Sequence, residues 1–135
     1  MTMLKKIAIH CDLNKTSGLG HLSRMKNLSQ ELEKKFFKCF FLFHQKDRNY
    51  IVRFTKNLKT IFFSGENKIN SISHFLLENK FLILIIDSYE NNLLLEKNLV
   101  QKGLFIVSID DHSRKHYSNI VVNNSIDKIN LNKKK

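Results

Sequence analysis

Gly18-Leu19-Gly20-His21-Leu22-Ser23-Arg24 places two glycines, an imidazole and a guanidinium on one short stretch. Glycine lets a backbone approach a ligand closely. The free N–H groups of a helix start favour negative charge or oxygen atoms, and an imidazole held there can move a proton near neutral pH. His21 is therefore a candidate base with one ring nitrogen facing a water. Arg24, three residues on, shares its helical face and suits a phosphate or an ion pair with Asp12. Two more polar clusters follow apolar runs, Asp87-Ser88-Tyr89 and Asp110-Asp111-His112. The plainer readings are an exposed His21 without a role, and Asp87 and Asp110 as helix caps or turn formers.

These residues need elements to hold them. Residues 4–11 alternate and end in a polar loop over 12–17, which predicts a first strand running into a ligand loop. Leu22, Met25, Leu28 and Leu32 keep helical spacing from His21 to about Lys35. A second strand is predicted over 37–44, a weak helix over 47–57, a third strand over 58–64 and a helix over 69–79. Residues 81–86 are consecutively apolar and predict a central strand. A helix over 90–102 stopped by Gly103, a strand over 104–109 and a short one over 118–122 complete the pattern. The alternation predicts an α/β, Rossmann-like three-layer domain with a mostly parallel sheet, spanning 1–124 and followed by a polar linker or tail over 125–135. Ligands of such sheets bind beyond the carboxyl ends of the strands, where the strand order reverses. Strands one and four flank that point in the common order, so the three polar clusters are expected to converge there.

A chain of 135 residues, 42% hydrophobic and without proline, is expected to form one domain with a sizeable core. A net charge of +11 would suit a polyanion, yet the lysines are scattered rather than striped, and nucleic acid is not the expected partner. No apolar run approaches the roughly 20 residues of a membrane helix. The stretch after Lys5 and Lys6 is too short for a signal-peptide core, so a cytoplasmic protein without a membrane partner is expected. Cys11 and Cys39 fall in predicted strands as buried thiols. Asp110, Asp111, His112 and His116 lack the tight spacings of a dedicated metal site, and neither metal nor cofactor is expected. Gly18-x-Gly20-x-x-Ser23 comes close to a dinucleotide fingerprint. The loop before it is too long, however, and the second strand ends Phe43-His44-Gln45 without the acidic residue that would hold a ribose.

Taken together, Gly-x-Gly-His-x-x-Arg over 18–24, Ile-Asp-Ser-Tyr over 86–89, and Ile-Asp-Asp-His over 109–112 with the later His116 and Asn123-Asn124 resemble a known family. They are similar to the N-terminal half of the pseudaminic-acid pathway hydrolases that act on UDP-2,4-diacetamido-2,4,6-trideoxy-β-L-altropyranose. The likeness runs from Lys6 to Asn124. It implies the N-terminal domain of a glycosyltransferase-B-like fold, with a UDP-linked sugar as substrate. His21 then matches the general base that activates water to release UDP, and Gly18, Gly20, Arg24, Asp87, Tyr89, Asp110 and Asp111 fall at substrate-binding positions. Departures are His10, where an arginine is usual, and Asn119, where an aspartate is. The resemblance also implies a C-terminal UDP-binding domain, absent from these 135 residues and expected to act as a separately encoded partner. The alternatives are a related sugar transferase of the same fold and a non-catalytic domain that works only with such a partner.

Overall fold

The computed structural model describes residues 4–13, 19–90 and 92–123. β1 (Lys5–Cys11) leads to α1 (Gly20–Lys34), β2 (Phe37–His44), a 3-10 turn (Gln45–Asp47), α2 (Arg48–Ile51), β3 (Thr60–Phe63) and α3 (Lys68–Glu78). The second half runs β4 (Ile83–Asp87), α4 (Leu93–Gln101), β5 (Phe105–Asp110) and β6 (Ile120–Asn123). The six strands form one sheet in the order β3-β2-β1-β4-β5-β6, every neighbouring pair parallel. This is the expected Rossmann-like α/β architecture, and the strand order reverses between β1 and β4.

Strand alternation divides the core into two halves. Ile7, Ile9, Cys11, Phe41, Phe43 and Ile85 pack with Leu22 and Met25 of α1 and with Ile51 of α2. Ala8, Leu42, Leu84, Ile86 and Ile106 pack on the other face with Ile72 and Leu76 of α3 and Leu95 and Leu99 of α4. Fully burying such an aliphatic side chain stabilises the fold by ~1.5–3 kcal/mol. Because both faces are covered, β4 reads as an unbroken apolar run that ends on Asp87.

The helix expected over 47–57 is much shorter. Beyond Ile51 the chain tightens into i→i+3 bonds, the Phe54 N–H donating to the Ile51 carbonyl at 3.0 Å, and the Thr55 hydroxyl shares that acceptor at 3.1 Å. Gly103 ends α4 at φ 92° as anticipated. The ends of α1 and α3 reach the same left-handed region without glycine, at Phe36 (φ 69°) and Lys80 (φ 62°). Cys11 and Cys39 are both buried and unbridged. Burial pushes the Cys11 thiol up, and it raises that of Cys39 to about 11. Among the described residues no helix is long and apolar enough to cross a membrane.

Candidate active site

His21 and Arg24 lie one turn apart at the start of α1, on the face turned toward the sheet, and β4 delivers Asp87 to the same place. Ile85 packs toward α1 and Ile86 away from it, so alternation returns Asp87 to the α1 side, opposite Cys11 in the sheet register. The His21 Nδ1–H donates to Asp87 Oδ1 at 2.6 Å. Arg24 forks the same carboxylate, Nη2 to Oδ1 at 2.5 Å and Nε to Oδ2 at 2.8 Å. Its Nη1 reaches Asp111 Oδ2 at 3.2 Å. The Asp87 hydrogen bond pushes the already cationic guanidinium further up, against its partial burial, and both carboxylates reinforce the shift.

This arrangement fixes the imidazole chemically. A carboxylate only accepts, so the neutral His21 ring carries its proton on Nδ1 and its lone pair on Nε2. His21 is 4% exposed, and its Nε2 is buried with no hydrogen-bond partner among the described residues. The Tyr89 ring meets the imidazole edge-on, with centroids 4.3 Å apart, while Tyr89 itself is 52% exposed. An oriented but unpartnered acceptor under an exposed aromatic ring can take a proton from a hydroxyl or a water brought to it.

The loop carrying Tyr89 is anchored from two sides. Asp12 accepts from the Ser88 hydroxyl at 2.8 Å and from the Tyr89 N–H at 2.6 Å. Arg114 donates to the carbonyls of Ser88, Tyr89 and Glu90. The Tyr89 ring also tilts against His112, with centroids 5.2 Å apart.

The structure thus brings together His21, Arg24, Asp87, Tyr89 and Asp111, with some changes of role. Arg24 pairs with Asp87 and Asp111 rather than with Asp12, which the Tyr89 loop occupies. Asp87 is 1% exposed with both oxygens engaged by protein groups, so it holds the His21 imidazole and does not face a ligand. Asp110 does not join this cluster. β5 ends at Asp110, and alternation places Asp110 on the α4 side with Ser108, while Asp111 lies in the bend that follows the strand and reaches Arg24. Asp110 is 2% exposed and accepts from the His112 N–H, the Arg114 N–H and the His116 ring. Among the described residues, no side chain lies within 4 Å of a Cβ added to Gly20. Gly18 lies outside the described residues.

His116 occupies a separate polar cluster. Its Nδ1 lies 2.8 Å from Glu96 Oε2 and its Nε2 2.7 Å from Asp110 Oδ2. With a carboxylate at each nitrogen, the ring is held as the imidazolium. The Glu96 hydrogen bond pushes His116 above its ordinary value, outweighing burial, and Asp110 adds to it. Burial alone would raise the Glu96 carboxyl, but His116, the Tyr117 N–H and the Ser108 hydroxyl together hold it below the usual range. Asp110 is held low in the same way by the His112 N–H, His116 and the Arg114 N–H. This cluster braces the loop that bears Arg114. No group of metal ligands occurs among the described residues.

Sequence reasoning missed Glu96 and Arg114. A lone carboxylate on the apolar side of α4, between Leu95 and Leu99, signals a buried partner. Arg114 carries no signal, since it sits in an aperiodic loop and binds backbone carbonyls.

Among solved structures, the chain is similar to RSP, a Rex-family repressor, with a TM-score of 0.51 and 15% identity over 92% of this chain. At that identity the likeness concerns the fold alone, and the chain spans 55% of the length of that protein. No family model and no curated protein matches the chain.

Proposed function

We propose that this domain carries the general base of a UDP-sugar hydrolase acting on a diacetamido-trideoxy sugar of nonulosonic (pseudaminic) acid biosynthesis. One observation carries the reading: His21 presents a buried, unpartnered Nε2 while Asp87 holds the opposite nitrogen. Water hydrogen-bonded to Nε2 gives up a proton to it as the oxygen attacks the anomeric carbon. The bond from that carbon to the diphosphate oxygen breaks, and UDP leaves with the electron pair. UDP is a good leaving group, so the step chiefly needs an oriented, deprotonated water. Tyr89 must swing aside to admit the sugar, and its position over the base keeps bulk water away between turnovers.

The two arginines beside the crevice are engaged by protein oxygens: Arg24 by Asp87 and Asp111, Arg114 by backbone carbonyls. The diphosphate therefore needs donors from elsewhere, which fits a separate UDP-binding partner domain. The test is UDP release from the UDP-linked diacetamido sugar, measured with and without such a domain. Free sugar with UDP supports hydrolysis. A glycosylated acceptor instead identifies a transferase that uses the same base on a hydroxyl.

A further inference from the structure

Beside the His21 crevice, a cavity of about 670 Å³ opens beyond the carboxyl ends of β1, β2 and β3, a size typical of small-molecule sites. Its lining includes three aromatic rings, Phe43, Tyr50 and Phe63. His10 stands beside it and donates from Nδ1 to the Leu42 carbonyl at 2.9 Å. The lone pair of its neutral ring is therefore on Nε2. Burial, assisted by Lys68, pushes His10 below its ordinary value and keeps it neutral. His44, by contrast, has both nitrogens engaged, donating from Nε2 to the Gly65 carbonyl at 2.7 Å and accepting the Lys46 N–H at 3.0 Å. It builds the rim rather than binding.

The charge around this cavity runs against that of the chain. Among the described residues, Asp12, Asp47, Glu66 and Glu90 line it together with Lys46 and Lys68, four of the 12 acidic residues against two of the 23 basic ones. Lys68 and Glu90 offset each other at 2.6 Å, leaving Asp12, Asp47 and Glu66 against Lys46. A phosphate placed here meets net negative charge, whereas hydroxyl and amide N–H donors meet acceptors and an aromatic face.

We infer that this cavity binds an uncharged ring bearing hydroxyl or amide groups, with Tyr50 as a stacking face and His10 as an acceptor, and that it disfavours phosphorylated ligands. Naming the ring an N-acetylated sugar rests on the nucleotide-sugar reading above; the rejection of phosphate rests on the cavity alone.

The test titrates the chain with N-acetylglucosamine and with AMP and follows the tyrosine and phenylalanine ring signals by NMR. N-acetylglucosamine shifts the Tyr50 ring, and AMP binds at least roughly fivefold more weakly at low salt. The Asp47→Asn, Glu66→Gln double variant changes two exposed side chains and narrows that gap, while Tyr50→Ala abolishes the sugar response. AMP binding as tightly as the sugar, or ring signals unmoved by the sugar, overturns the inference. UDP release is read in a separate assay, so either reading can fail without the other.

Discussion

His21 Nδ1 and Asp87 Oδ1 lie 2.6 Å apart, joining the first turn of α1 to the last residue of β4 across the point where the strand order reverses. The contact leaves Nε2 as the ring's acceptor, and the Arg24 fork keeps the carboxylate from turning away. Asp87→Asn removes the charge and allows the amide to present N–H to the ring. The variant is expected to release UDP about a hundredfold more slowly, with KM changed little because Asp87 is buried away from the crevice. Steady-state kinetics that separate kcat from KM check this.

Arg24→Ala strips a carboxylate that is 1% exposed of its guanidinium partner. Breaking such a pair from one side costs about 3 kcal/mol, read as a lower urea midpoint. Arg24→Lys recovers only part of the loss, because a single ammonium cannot fork both oxygens.

The His116 cluster makes stability depend on pH in a defined direction. The folded pKa of His116 is raised above its ordinary 6.5. Its contribution is thus complete below that value and is lost as pH rises through the folded value. Glu96 and Asp110 are lowered from 4.5 and 3.8, so their contributions are present above those values and are lost as pH falls through the folded ones. Thermal melts of the wild type and His116→Gln should differ most between about pH 5 and 6.5 and converge toward alkaline pH.

Much of the fold can be read from the sequence, because the aromatic-rich stretch over 37–44 and the short apolar run over 81–86 have the length and composition of buried strands, and Leu22, Met25, Leu28 and Leu32 mark a helix by spacing alone. His21, Arg24 and Asp87 are legible as strand-end and helix-start residues, but their roles are not. That Asp87 meets the His21 imidazole follows from the parity of β4, and that Asp110 turns toward α4 follows from the parity of β5, whereas Asp111 lies beyond the strand end. Both depend on a strand register that apolar runs do not fix to the residue. Arg114 stays hidden because its partners are carbonyls, which any sequence supplies.

Gly20 tests the space beside the base. A methyl group there meets no described side chain within 4 Å, and alanine favours a helix by ~1 kcal/mol. Gly20→Ala should therefore leave thermal stability equal or slightly higher while raising KM for the nucleotide-sugar. An unchanged KM removes Gly20 from the binding surface.

Lys80, exposed at φ 62° after α3, adopts a conformation that glycine reaches without strain. Lys80→Gly should raise the unfolding free energy by roughly 0.5–1 kcal/mol, measured by urea denaturation, with no effect on turnover.

The most direct measurement is UDP release from the UDP-linked diacetamido sugar by the wild type and by His21→Ala, each assayed together with a UDP-binding partner domain. The account predicts release by the wild type, free sugar as the co-product, and a loss of at least about a hundredfold in His21→Ala. Release undiminished by the substitution, or no release by the wild type, contradicts it.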